Sequence, residues 1–330
     1  MNALLNRVVV IVVGGLVLTS CTSGALTAPP PLDLSAPSQV DAMVTPPPPV
    51  RMRFAVIGDF GVDTPDESRV ANLVKRQHPD FIVTVGDNNY PQGEAATIDQ
   101  NIGQYFAEYI GNYHGAHGPG SATNRFWPSL GNHDWYATNG SQPYLDYFTS
   151  LPGNRRYYDF VQGDIHFFAV DADDHEPDGN TVGSVQAEWL HDAMAKSTSC
   201  FNIVFFHQPA FSSGPPQFIE QQMNWPFAAW GADLVLTGHQ HQYERLLIDG
   251  IPYVVDGLGG ALNRFMFANQ APGSLVRYND DFGALLVDVY DGQLDFRFRN
   301  VRDEIIDAFT ITKTCANVTA DVDGGSTSGR

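Results

Sequence analysis

Positive charge is scarce in this chain. Lys and Arg together number 18 in 330 residues, against 37 Asp and Glu, for a formal net charge of −19. Such a surface repels phosphate backbones and anionic membranes, which argues against a nucleic-acid-binding role. The plainer consequence of the acidity is solubility. Cysteine is scarce too, with residues only at 21, 200 and 315. Long hydrophobic runs are missing apart from residues 8–18, and that run is too short for a comfortable membrane span, which needs about 20 residues. No internal repeat of useful length is present, so the chain does not read as a stacked array. What remains is ordinary globular material. With 43% hydrophobic and 17% charged residues, there is length for one large or two small domains.

The N-terminus carries addressing signals. Arg7 precedes the apolar run, and Thr19-Ser20-Cys21 closes it. A positive start, a short apolar core and small residues predict a secretion signal over residues 1–20. Leu18-Thr19-Ser20-Cys21 also resembles a bacterial lipobox, in which Cys21 would be lipidated and become the new N-terminus; the alternative is a plain cleavable signal. The chain is therefore expected to be exported, and attached to a membrane only through that lipid. Residues 21–50 then form a Pro-rich stretch with Pro29-Pro30-Pro31 and Pro46-Pro47-Pro48-Pro49, expected to be an extended tether. If Cys21 is lipidated, Cys200 and Cys315 remain as a pair. An oxidising compartment makes a bridge between them possible.

The folded part is expected over residues 51–315, followed by a small, polar tail at 316–330 that frays. Its first half alternates strand-like and helix-like patterns. Thr64-Pro65-Asp66-Glu67 predicts a helix start, with Thr64 as cap, Pro65 in first position and Glu67 closing a capping box. Residues 98–110 read as a helix with Ile98, Ile102, Tyr105, Phe106 and Tyr109 on one stripe, and residues 220–230 read as another. A helix carrying Val185, Trp189, Leu190 and Met194 follows Gly183-Ser184. The C-terminal part is a series of short β runs, with Asp291-Gly292 as a hairpin turn. Mixed α/β followed by meandering β predicts two sheets packed face to face with helices outside. The glycine-rich loop at 111–124 holds His114 and His117, and reads as a surface segment or as an overhang of the site.

Five polar motifs each follow an apolar run. They are Gly58-Asp59-Phe60-Gly61, Gly86-Asp87-Asn88-Asn89-Tyr90, Gly131-Asn132-His133-Asp134, His207-Gln208-Pro209 and Gly238-His239-Gln240-His241. Four of the ten histidines fall in them. Parallel strands end along one sheet edge, where open α/β sheets bind ligands, so these distant residues can converge. One carboxylate can bridge two cations, imidazole suits zinc and iron, and carboxylate and amide oxygens suit harder ions. The set therefore predicts a metal site, and a two-metal site in particular. Two histidines at i and i+2 in a turn can diverge to serve neighbouring metals.

The ordered motifs resemble those of the calcineurin-like metallophosphoesterases, and within them the small purple acid phosphatases of the tartrate-resistant type. The order matches over residues 54–245, including Tyr243-Glu244-Arg245. The resemblance implies a four-layer αββα sandwich with two mixed sheets flanked by helices. Many family members place a histidine ligand two residues after the first aspartate, where this chain has Gly61. Tyr90, three residues after Asp87, stands where purple acid phosphatases place a tyrosinate, a hard anionic donor that favours ferric iron. By resemblance, Asp59, Asp87, Tyr90 and His241 hold Fe(III), with Asp87 bridging. Asn132, His207 and His239 complete a second site for Fe(II), Zn(II) or Mn(II). His133 lies near the substrate phosphate as proton donor, and Asp134 is structural, orienting His133. Gln208-Pro209-Ala210-Phe211 after His207 carries none of the extra substrate-binding histidines of some relatives.

The resulting expectation is an exported phosphomonoester hydrolase of acid phosphatase type. Its partner is a small phosphate ester, which hydroxide formed from metal-activated water attacks. A phosphodiesterase or pyrophosphatase acting on nucleotides or lipid head groups is the nearest alternative. A tethered metal- or phosphate-binding module is the non-enzymatic one.

Overall fold

The computed structural model describes residues 49–261 and 263–315. The expected signal, Cys21, nearly all of the tether and the polar tail lie outside the described residues. Thirteen strands run in chain order: β1 (Met52–Ile57), β2 (Phe81–Thr84), β3 (Phe126–Pro128), β4 (Tyr158–Gln162), β5 (Ile165–Ala169), β6 (Phe201–Phe205), β7 (Leu234–Thr237), β8 (Tyr243–Ile248), β9 (Ile251–Asp256), β10 (Ser274–Tyr278), β11 (Gly283–Tyr290), β12 (Gln293–Asn300) and β13 (Ile305–Thr312). They form a six-stranded sheet, β13-β12-β11-β1-β2-β3, and a seven-stranded sheet, β10-β8-β9-β7-β6-β5-β4.

Both sheets are mixed. In the first, β1, β2 and β3 are parallel and β11 joins β1 antiparallel. In the second, β5, β6, β7 and β9 are parallel, with β4 and β8 antiparallel beside them. The central strands are apolar on both faces (the four residues of β2 and of β7 are all buried), the pattern of parallel strands covered on two sides. Between the sheets Phe54 meets Phe167 edge-on at 5.3 Å, and Phe81 meets the same ring edge-on at 5.5 Å. Helix Pro65–Arg76 turns Val70, Leu73 and Val74 into the same core. Helix Val185–Ala195 buries Ala187, Leu190 and Met194 in a second core over the far side of the other sheet, with Phe168, Val204 and Val235. The architecture is the expected αββα sandwich.

Three local details differ from the expected pattern. Thr64 caps its helix as predicted, accepting from the Glu67 N–H at 3.3 Å. The Glu67 carboxylate, however, reaches past it to the N–H groups of Val62 and Asp63, at 3.0 and 2.7 Å. The stripe at 98–110 is not one regular helix: α-helix Ala95–Ile98 passes into a π turn at Asp99–Gly103, then Gln104–Phe106 and a 3-10 turn at Ala107–Tyr109. The Asp99 carboxylate there accepts from the Tyr113 and Tyr147 hydroxyls and the Ala116 N–H, and a Cβ on Gly103 would collide with it. Residues 220–230 hold only the 3-10 turn Gln221–Met223 and the short helix Phe227–Trp230, because Pro226 supplies no N–H to carry a helix through. Cys200, just before β6, and Cys315, just after β13, form a disulfide with Cα atoms 5.2 Å apart.

Candidate metal centre

Parallel pairing brings the strand ends together. Ile57 aligns with Thr84 and Thr84 with Pro128. In the other sheet Phe205 aligns with Leu236. Asp59, Asp87, Asn132, His207 and His239 therefore leave their strands along neighbouring edges. Three of them turn sharply: Asp59, Asp87 and His239 have φ of 56°, 52° and 65°, a left-handed conformation that non-glycine residues rarely adopt and that clusters at functional sites. The flanking glycines let the loops close on one another. A Cβ on Gly86, itself at φ 85°, would press into the His207 ring.

Asp87 is the meeting point. Its Oδ2 accepts from the Tyr90 hydroxyl at 2.8 Å and lies 3.1 Å from His207 Nε2. On one side, the Tyr90 hydroxyl also stands 3.2 Å from Asp59 Oδ1 and 3.3 Å from His241 Nε2, and His241 Nε2 lies 3.2 Å from Asp59. On the other side, His239 Nδ1 faces His207 Nε2 at 3.2 Å. His239 and His241 thus serve different sides, which the turn between them permits. Asp87, His207 and His239 each bring a ligand atom within 4.8 Å of the others.

The donor set fits a pair of cations. His207 Nδ1 donates to the Val85 carbonyl at 2.7 Å, and His241 Nδ1 to the Asn263 carbonyl. These carbonyls fix the tautomers and turn each Nε2 lone pair inward, as outer partners of metal-binding imidazoles do. Asn132 Nδ2 donates to the Tyr136 hydroxyl at 2.9 Å, while its Oδ1 is buried with no partner among the described residues. A buried acceptor left unpaired is costly, and a cation would satisfy it.

Electrostatics point the same way. Burial opposes ionisation of Asp87, but the charge and hydrogen bond of His207 hold its carboxyl below the usual range. Burial disfavours the His207 imidazolium, yet Asp87 and Asp59 raise its pKa to about 10, so the two carboxylates favour positive charge beside Nε2, as a bound cation would supply. His239 is pushed down to about 4 by burial and by His207. Tyr90 is driven well above the usual phenol range by burial and by the Asp87 and Asp59 charges.

His133 stands at the edge of this group. Its backbone N–H donates to Asp87 Oδ1 at 2.8 Å, its Nδ1 bonds the Pro91 carbonyl at 2.7 Å, and its Nε2 is 4.0 Å from Asp87 Oδ2. Tyr90 packs on its ring at 4.2 Å. Asp134 does not orient that ring. Its carboxylate accepts from the Gly131 N–H at 2.9 Å and the Asn88 side-chain amide at 2.9 Å, welding the second motif to the third.

The Calcineurin-like phosphoesterase family model matches residues 52–243. The chain belongs to this family. Among curated proteins it is 23% identical over 247 residues to the Rattus norvegicus tartrate-resistant acid phosphatase type 5, covering 64% of this chain and 73% of that one. It is 26% identical over 250 residues to the Arabidopsis thaliana purple acid phosphatase 15, covering 63% and 45%. The solved structure described as GAP50, the anchor in the inner membrane complex of Plasmodium, superposes with a TM-score of 0.58 at 18% identity, covering 80% of this chain and 89% of that one, which speaks to fold alone.

Within this calcineurin-like phosphoesterase, the missing histidine at position 61 has a steric reason. A Cβ on Gly61 would collide with the Asn88 carbonyl oxygen, and the Gly61 carbonyl accepts from the Tyr90 N–H at 2.7 Å. The backbone contact that excludes a side chain at 61 also anchors Tyr90. Above the centre opens a cleft of about 490 Å³, lined by Asp87, Asn132, His133, His239 and His241 together with a wall that motif reading finds only at Gln208. Tyr136, Gln208, Phe218, Glu220 and Phe265 form that wall. Gln208 lies inside the fourth motif and Tyr136 two residues past the third, so position points to both; Phe265 lies in irregular chain with no pattern to mark it. Neither His114 nor His117 lines the cleft.

Proposed function

We propose that the protein is a two-metal phosphomonoesterase of the purple acid phosphatase kind. The observation that carries this reading is Tyr90, whose hydroxyl meets Asp59, Asp87 and His241 within 3.3 Å where the chain has no first-motif histidine. Asp59, Asp87, Tyr90 and His241 would hold one cation, Fe(III) in this proposal. Asp87, Asn132, His207 and His239 would hold the other, Fe(II), Zn(II) or Mn(II). Bound cations lower the pKa of water toward neutrality and offset charge on phosphoryl oxygens.

The chain's own part is orientation and proton transfer. With Nδ1 tied to Pro91, His133 presents Nε2 to the cleft, where it can give a proton to the departing alcohol oxygen. Asn132 is held by Tyr136 so that its carbonyl oxygen faces inward. The proposal also includes export, with the domain tethered through Cys21. The Cys200–Cys315 bridge supports it, since such bridges persist in oxidising compartments.

The test is one purified, metal-loaded sample. Wild type should show a visible phenolate-to-iron absorption that Tyr90→Phe lacks, and should release phosphate from an aryl monoester faster than it cleaves the matching diester. An unchanged spectrum in the variant overturns the tyrosinate, and preference for the diester overturns the monoesterase reading.

A further inference from the structure

The cleft wall has a chemical character of its own. Among the described residues, no Lys or Arg lines it. Arg264, next to Phe265 in sequence, is engaged elsewhere: its guanidinium sits 5.2 Å over the Phe282 ring and donates to the Asp280 carbonyl at 2.7 Å. Positive charge in the cleft would come from the metal ions themselves, where one phosphate would bind. Beyond them the wall offers aromatic faces and acceptors. Phe218 and Phe265 stack at 5.1 Å, Phe265 stacks on His241 at 4.4 Å, and Tyr136 meets His133 at 5.0 Å. Phe265 is thereby held flat on one metal-side imidazole, and Phe218 meets the other, His239, edge-on at 5.4 Å.

Two acceptors stand in the wall, beside the Gln217 amide and Ile219. Glu220 is anchored by its N–H to the Pro209 carbonyl at 2.9 Å. Its Oε1 accepts only a backbone N–H, from Gln222 at 3.1 Å, so among the described residues no cationic side chain neutralises it. Gln208 donates its amide to Asp173 Oδ2 at 3.1 Å, and Asp173 Oδ1 in turn accepts from the His175 N–H at 2.9 Å. That pairing forbids the flipped amide, which would set Oε1 against a carboxylate. Gln208 Oε1 is left buried without a partner among the described residues.

A second phosphate or a carboxylate on the substrate would meet Glu220 with no cation to offset it. A positively charged leaving group would meet a carboxylate, an unpaired amide oxygen and aromatic faces, the combination that recognises ammonium groups. We propose that this wall is a leaving-group subsite selecting phosphomonoesters of amino alcohols, of the phosphoethanolamine and phosphocholine kind, over neutral and polyanionic esters. The inference rests on the monoesterase reading and names its substrate class.

The discriminating pair is phosphocholine and 3,3-dimethylbutyl phosphate, which share a shape and differ by one positive charge. With full-length metal-loaded protein, kcat/KM for the cationic ester should exceed that for the neutral one by about tenfold, a factor in the range of aromatic and carboxylate recognition of a cation. Pyrophosphate should be poorer than both. Glu220→Gln should shrink the cationic-to-neutral ratio at least threefold, and Glu220→Lys should invert it. Choline should also broaden in ligand-observed NMR with metal-free protein more than 3,3-dimethylbutanol does. Equal kcat/KM for the two esters, or a ratio that both variants leave intact, overturns the subsite. Failure to hydrolyse any monoester, an aryl phosphate included, overturns the phosphatase reading instead.

Discussion

At the residue scale, His133 owes its position to backbone rather than to its side chain. Its own N–H donates to Asp87 Oδ1, and its ring is aimed by the Pro91 carbonyl. His133→Ala therefore keeps the backbone bond to Asp87 and removes only the imidazole. Turnover of a monoester should fall by roughly 100-fold or more, the usual contribution of a positioned general acid. Metal content measured on the same sample should not change. Loss of a metal ion from the variant would move His133 into the ligand set. Tyr90 and Gly61 make the complementary point. A glycine is needed at 61 because the Asn88 carbonyl occupies the space of a side chain, and the phenol reaches Asp59 and Asp87 from the next loop.

At the element scale, the first helix is tied to the first metal-bearing loop by a buried acid. Glu67 is 1% exposed, and burial lifts its carboxyl to about 9 from an ordinary 4.5, against the opposing bonds from Val62 and Asp63. The folded chain thus binds this proton more tightly than the unfolded chain, so stability is full below about 4.5 and declines as pH rises toward 9. Glu67→Gln keeps an acceptor for the loop and cannot ionise. Urea midpoints from pH 5 to pH 8 should fall more steeply for wild type than for the variant; parallel curves would show that Glu67 does not carry the slope. The strands and their motifs were legible because each metal-side residue follows an apolar run that ends at a sheet edge. The π turn at Asp99–Gly103 was not, because its cause is tertiary: Asp99 bonds Tyr113 and Tyr147, neither of which belongs to the apolar stripe's period. The cleft wall was illegible for a related reason, since Phe218 and Phe265 come from segments without periodicity and meet only in the fold.

At the scale of the whole molecule, two sheets share one core, and a covalent link joins them. β13 is the edge strand of the first sheet and β6 lies inside the second, so the Cys200–Cys315 bridge fastens the last strand to the opposite layer across a sequence separation of 115. Closing so long a loop restricts the unfolded chain, a stabilisation of about 2–4 kcal/mol in typical proteins. The bridge is also remote from the chemistry. Cys200 precedes β6 and His207 follows it, so the rise of a strand separates them by roughly 20 Å. The double variant Cys200→Ser, Cys315→Ser should therefore lower the denaturant midpoint while leaving turnover per folded molecule close to that of wild type. An unchanged midpoint would mean that apolar packing between the sheets alone holds β13 in place. Lost turnover in a variant that is still folded would mean that the end of β13 is coupled to the strand ends on the far side, which the parallel register of β6 with β5 and β7 does not lead one to expect.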